Sequence, residues 1–181
     1  ALEMFTRLSG MNDEFARERK SQQREAIRID IGIGINTGLC VVGNIGSDLR
    51  FDYSVLGDSV NLASRLEGRT KEYGVGIVIG PETAAAVADL APLELDLLAV
   101  KGKREAVRIF ALLREEELPG RQDLHDFHRC HARMIEAYRR GEWAAARTAL
   151  AQCRVNAAGL SLLYKVYDQR LSEYEKSPPP E

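Results

Sequence analysis

The sequence predicts an α+β domain with a mostly antiparallel sheet, followed by an all-α tail. Three observations carry that expectation. Isoleucine alternates with polar or glycine residues from Ile27 to Ile35, the period of a strand. Short strand-like runs then alternate with two helical stretches as far as Leu113. Beyond Gly120 the apolar spacing is helical only.

The elements follow in order. Ala1, Leu2, Met4, Phe5, Leu8, Met11 and Phe15 recur at intervals of three and four, predicting an amphipathic first helix. The chain opens inside this pattern, without a cap or an initiator methionine, so the expectation is a fragment whose natural start lies upstream. Arg17 to Glu25 reads as a solvated helix end. Ile27, Ile29, Ile31, Ile33 and Ile35 would form one buried strand face, and Gly32 and Gly34 flatten the other. Glycine weakens a strand, and one reason to tolerate it is close approach of another backbone or a ligand. Thr37-Gly38 reads as a turn, so Leu39 to Val42 is expected to pair with the isoleucine strand as a hairpin.

Gly43 to Ser47 breaks that second strand, and Phe51 to Leu56 makes another. A helix opens near Gly57-Asp58-Ser59, with Asp58 or Ser59 as N-cap and Leu62, Ala63 and Leu66 as its apolar stripe, and ends before Gly74. Ile77 to Ile79 is a short strand, Pro81 starts a short helix, and Leu93 to Val100 and Val107 to Leu113 are strands joined by Lys101 to Arg104. Residues 114–120 read as a linker, with a domain boundary near residue 118. Three tail helices are expected over 121–140, 142–154 and 160–176.

Composition excludes several classes. The 181 residues are 45% hydrophobic and 29% charged, which argues against wholesale disorder or a coiled coil alone. No apolar run approaches the roughly 18 residues that cross a membrane, so no membrane contact is expected from this chain. No secretory leader pattern is visible, and the expected location is cytoplasmic, with any anchor in an upstream region. A formal net charge of -2 gives no basic stripe for nucleic acid. Three widely spaced cysteines, Cys40, Cys130 and Cys153, make neither a disulfide framework nor a metal knuckle.

The informative stretch is Phe51 to Glu67. Asn61 and Arg65 lie four apart and share a helix face, about 100° from the core stripe of Leu62 and Leu66. An arginine fork suits phosphate oxygens. On spacing alone the pair reads as a solvated polar face with an ordinary surface arginine, and phosphate binding is the alternative. Neither nucleotide motif, G-x-G-x-x-G or G-x-x-x-x-G-K-[ST], is present.

The stretch Phe51 to Glu67, the run Ile31-Gly32-Ile33-Gly34-Ile35-Asn36-Thr37-Gly38, the segment Val42 to Ser47 and Val100-Lys101-Gly102-Lys103 together resemble the class III nucleotidyl cyclase catalytic domain, in order and spacing, over residues 1–113. The resemblance is closest to bacterial adenylate cyclases and implies a partial ferredoxin-like domain. It implies conversion of ATP to 3′,5′-cyclic AMP and pyrophosphate in signal transduction. Asn61 would orient the ribose, Arg65 would stabilise charge on the α-phosphate, and Lys101 would bind the terminal phosphates, where a hairpin-turn lysine is the plain reading. Ser54 would read the base. Many adenylate cyclases carry Asp there, one bacterial group Thr or Ser, and guanylate cyclases tend to carry Cys.

The resemblance also implies two Mg²⁺ or Mn²⁺ ions held by aspartates upstream of this chain. Asp30, Asp52 and Asp58 lie in the wrong motifs, so this chain is expected to be inactive alone. It implies a homodimer with sites at the interface. Guanylate cyclase and a non-catalytic regulatory or dimerisation module are the alternatives.

In the tail, Ala137-Tyr138-x-x-Gly141-x-Trp143-x-x-Ala146 resembles the inter-helix turn of a tetratricopeptide repeat, with Gly141 at the turn, Trp143 in the groove and Ala146 at the close approach. It is either a protein-docking or dimerisation element, open to a protein partner, or a helical hairpin packed on the first domain. His125, His128, His131, Cys130 and Asp126 only partly share a face and read as a solvated helix start more readily than as a metal site.

Overall fold

A computed structural model describes residues 1–47, 50–99, 106–114, 117, 124–155 and 158–177. The elements are α1 (Leu2–Ser21), β1 (Ile33–Ile35), β2 (Val41–Ser47), β3 (Arg50–Leu56), α2 (Asp58–Tyr73), β4 (Ile77–Ile79), α3 (Pro81–Ala86), β5 (Leu93–Leu98), β6 (Val107–Ala111), α4 (Leu124–Arg139), α5 (Trp143–Val155) and α6 (Ser161–Tyr174). The main sheet has the order β1-β4-β6-β5, with β1 and β4 parallel and the other two pairings antiparallel. The α+β class with a mostly antiparallel sheet is therefore observed.

The sheet separates two cores. On one face Phe5 of α1 and Ala84 of α3 pack with Ile77, Ile79 and Leu112, and Ile31, Ile33 and Ile35 close over them. On the other face Leu62 and Leu66 of α2 pack with Val78, Leu93, Leu95 and Ile109. The same core continues into Phe127, Met134, Leu150, Tyr164, Tyr167 and Leu171 of the tail. The tail helices thus pack directly on the sheet, beside α2, as the packed-hairpin alternative requires.

Four expectations are corrected. The isoleucine strand spans only Ile33–Ile35. Ile27 is 53% and Ile29 39% exposed, because three-residue β4 offers no partner that far along. The Asn12 side chain instead pairs with both backbone groups of Ile29, at 2.8 Å each. The expected hairpin does not form: β1 pairs with β4 after a crossover through α2, and β2 pairs with β3 from Val41↔Leu56 to Ser47↔Arg50. The N-cap of α2 is Gly57, not Asp58 or Ser59, and its carbonyl accepts from the Val60 and Asn61 amides at 3.1 Å. Its φ of +151° suits glycine, and that backbone makes the sharp turn out of β3. In α1 only Phe5 is fully buried, and Met4, Met11 and Phe15 face outward.

β6 stops at Ala111, although the Leu112 amide still reaches the Ile77 carbonyl at 3.1 Å. The end of the expected β5, at Val100, and the 101–104 connection lie outside the described residues.

Candidate functional site

The site is built around the seating of α2. Gly32, Gly34 and Gly38 form a flat track beneath it. A Cβ on Gly34 would stand 2.2 Å from the Ala63 carbonyl oxygen and 2.3 Å from the Glu67 nitrogen. On Gly32 it would meet Thr70 Oγ1 at 2.2 Å, and on Gly38 Ser59 Oγ at 2.1 Å. The close approach that the glycines suggested is that of α2, by its backbone at Gly34 and by the Thr70 and Glu67 side chains at Gly32. At the end of β1, the Asn36 Nδ2 donates to the Ser59 carbonyl at 3.1 Å and fixes the first turn of α2. Sequence reasoning passed over Asn36; its signal was a polar residue closing the isoleucine–glycine alternation.

Asn61 and Arg65 are both exposed, while Leu62 and Leu66, the residues next to each, are buried. The stripe therefore anchors the helix and leaves the amide and guanidinium projecting together. Ser54 is half-buried on β3, opposite Gly43 of β2, and the Gly57 turn carries the chain from it into α2. The structure thus brings Ser54, Asn61 and Arg65 onto one strand–turn–helix unit. Lys101 lies outside the described residues.

The far end of α2 is tied as well. The Tyr73 hydroxyl donates to Asp96 Oδ2 at 2.6 Å, and Arg170 Nη1 of α6 reaches the same oxygen at 2.5 Å. Arg170 Nη2 extends to Glu72 at 3.4 Å. No sequence pattern announced this group, whose members lie up to 98 residues apart.

Among the described residues, no three His, Cys, Asp or Glu side chains are arranged to hold a metal ion. Asp30 accepts from the Ile31 amide at 3.0 Å, and Asp58 is exposed at the start of α2. The tail histidines take separate roles. His125 is exposed beside Asp126, His128 is half-buried, and His131 is buried. His131 Nε2 lies 2.6 Å from the Glu94 carbonyl and Nδ1 lies 3.1 Å from the Tyr164 hydroxyl. A carbonyl only accepts, so Nε2 carries the proton and Tyr164 donates to Nδ1. Burial pushes His131 down to about 4, against the pull of the Glu94 carbonyl.

In the tail turn, Gly141 has φ of +71°, Trp143 lies against Tyr138 and Tyr174, and Ala146 is fully buried. No helix among the described residues is long and apolar enough to cross a membrane.

The model of the adenylate and guanylate cyclase catalytic domain family matches residues 2–113. An adenylate cyclase of Anabaena cylindrica is 39% identical over 114 residues, covering 61% of this chain and 22% of that protein. Adenylate cyclase 1 of Rhizobium meliloti is 37% identical over 81 residues, covering 44% of this chain and 12% of that protein. Among solved structures, the adenylyl cyclase CyaB from P. aeruginosa is 36% identical, with a TM-score of 0.44 over 56% of this chain and 53% of that one. The chain spans less than a quarter of the length of these two curated relatives.

Proposed function

The chain belongs to the adenylate and guanylate cyclase catalytic domain family, and from that premise we propose that it supplies the nucleotide-facing half of a site converting ATP to 3′,5′-cyclic AMP and pyrophosphate. One observation carries the proposal. Helix α2 is seated on Gly32 and Gly34 and held at its first turn by Asn36, so Asn61 and Arg65 project toward solvent together from a fixed helix.

The chemistry follows from these groups. As the ribose 3′-hydroxyl attacks the α-phosphate and pyrophosphate leaves, negative charge grows on the phosphoryl oxygens. Arg65 places a planar cation there, and a preorganised donor at developing charge is a large catalytic effect. Asn61 holds the ribose so that the hydroxyl is aimed at phosphorus. Ser54 offers a hydroxyl that accepts from the adenine amino group. It can also donate, so discrimination against GTP is narrower than a carboxylate would give. Lys101 neutralises the terminal phosphates.

Cyclases of this family use Mg²⁺ or Mn²⁺ to activate the attacking hydroxyl and the leaving group. The described residues do not fit that requirement, since no metal-holding cluster exists among them and Asp30 is engaged by its neighbour's amide. The metal carboxylates come from elsewhere in the assembled enzyme, and this chain by itself does not turn over ATP. A second catalytic domain packs head to tail against the β2–β3 hairpin, whose Val41, Val42, Tyr53 and Leu56 side chains are exposed, as is Leu39 just before it.

The test is complementation. The chain is mixed with a class III adenylate cyclase catalytic domain that keeps its metal carboxylates but has lost its own Asn and Arg. Cyclic AMP from ATP and Mn²⁺ is expected in the mixture and is lost with Arg65→Ala. A mixture that forms heterodimers and stays silent overturns the catalytic reading in favour of a regulatory module. Turnover of GTP above ATP overturns the substrate assignment.

A further inference from the structure

The tail brings together two thiols that stand 23 residues apart in sequence. Cys130 on α4 and Cys153 on α5 are both free, with their Sγ atoms 3.0 Å apart. A disulfide bond is about 2.05 Å long, so the sulfurs need to close by only about 1 Å. Two of the four buried α5 residues, Ala146 and Ala149, are alanines, whose small side chains let the helices approach closely. The two thiols are not equivalent. Cys153 is fully buried and Cys130 half-buried, so an oxidant reaches Cys130 first. Burial pushes the Cys153 thiol up and keeps it protonated.

We propose that Cys130 and Cys153 form an oxidative modification site, in which a peroxide converts the pair into an intramolecular disulfide that staples α4 to α5. The step balances. The Cys130 thiolate attacks one peroxide oxygen, giving a sulfenic acid and releasing the other oxygen as water. The Cys153 sulfur then attacks the sulfenic sulfur, and its proton leaves with the hydroxyl as a second water. Two electrons pass from the thiols to the peroxide. The new bond lies at the end of a buried polar chain: Cys153 neighbours the Tyr164 hydroxyl, which bonds His131, which bonds the Glu94 carbonyl of β5. Oxidation consumes the Cys153 S–H at one end of this chain.

The experiment uses the full chain. Reduced protein is treated with hydrogen peroxide while folded, then denatured and alkylated. Alkylated thiols are expected to fall from three to one, with peptide mapping locating a Cys130–Cys153 link in monomeric protein and dithiothreitol restoring all three. In Cys153→Ser, the sulfenic acid at Cys130 has no partner and is captured by dimedone. The proposal is overturned if three thiols survive peroxide. It is also overturned if the link maps to Cys40, or if Cys130 runs on to the sulfinic acid while Cys153 remains free.

Discussion

The Glu67 amide nitrogen lies 2.3 Å from the point where a side chain on Gly34 would begin. The helix carrying Asn61 and Arg65 therefore rests on strand β1 without an intervening side-chain layer. Gly34→Ala has no room, because the obstructing atoms are backbone. Overpacking of this kind costs about 1–3 kcal/mol, and either α2 or β1 has to move. Gly68, on the same helix, has nothing within 4 Å, so Gly68→Ala gains helix propensity of about 1 kcal/mol. Urea unfolding of the two variants should shift the midpoint in opposite directions. A neutral Gly34→Ala would mean that α2 does not sit on the strand this closely.

Arg170 joins three elements through one guanidinium, bonding Asp96 of β5 and reaching Glu72 and Tyr73 of α2. Its side chain is about three-quarters buried and that of Asp96 more so, so solvent screens the pair only in part. Arg170→Ala leaves Asp96 with the Tyr73 hydroxyl and the Leu97 amide but no cation, and should cost about 2 kcal/mol. Arg170→Lys keeps the charge but loses the fork and should recover less than half of that loss. Calorimetric unfolding of both variants checks this, and full rescue by lysine would reduce the contact to simple charge.

Helical period is the better guide: α2 reads correctly from Leu62 and Leu66 to Gly74, whereas the period-two run from Ile27 pairs only over Ile33–Ile35. Pairing was less legible. Thr37-Gly38 suggested a hairpin, yet β1 takes β4 as its neighbour, a choice made by tertiary packing of α2 and not by local turn chemistry. Gly32 and Gly34 signalled close approach without naming the partner, since a glycine records only that space is needed. The spacing of Asn61 and Arg65 showed only that they share a helix face, and the candidate site came from resemblance to a family. The docking of the tail was illegible. At the β-bulge between Glu94 and Asp96 the ladder is interrupted, and His131 and Tyr167 take the Glu94 and Leu95 carbonyls. No local pattern encodes contacts 37 and 72 residues apart.

Arg65 is exposed and hydrogen-bonds to no other described residue, so Arg65→Ala should leave the unfolding midpoint within about 0.5 kcal/mol of the parent. In the complemented enzyme the same change should lower kcat by about 100- to 1000-fold, the usual cost of removing one preorganised donor. Arg65→Lys should restore only a minor part, because a point charge does not reproduce the planar fork. Parallel stability and activity measurements separate the roles: a loss of both would make Arg65 structural.

His131 gives the fold an acid limit. Its folded pKa is lowered to about 4 from an ordinary 6.5, because the ring is buried between Phe127, Tyr164 and the Glu94 carbonyl. The unfolded chain therefore takes up a proton at higher pH than the folded one. At and above neutral pH both states are neutral and the group has no pH effect. As pH falls from 6.5 towards 4 the unfolded state gains protons alone, and stability drops by about 3 kcal/mol over that window. Protonation would also place a second N–H against the Tyr164 hydroxyl, which then has to turn and accept. His131→Gln keeps a donor for the Glu94 carbonyl but does not titrate. Its stability at pH 7 should be lower than the parent's, and its loss between pH 6.5 and 4 should be smaller by about the same 3 kcal/mol. Denaturant midpoints of the two proteins across that range decide the matter, and parallel curves would mean that His131 is not the group that sets the acid limit.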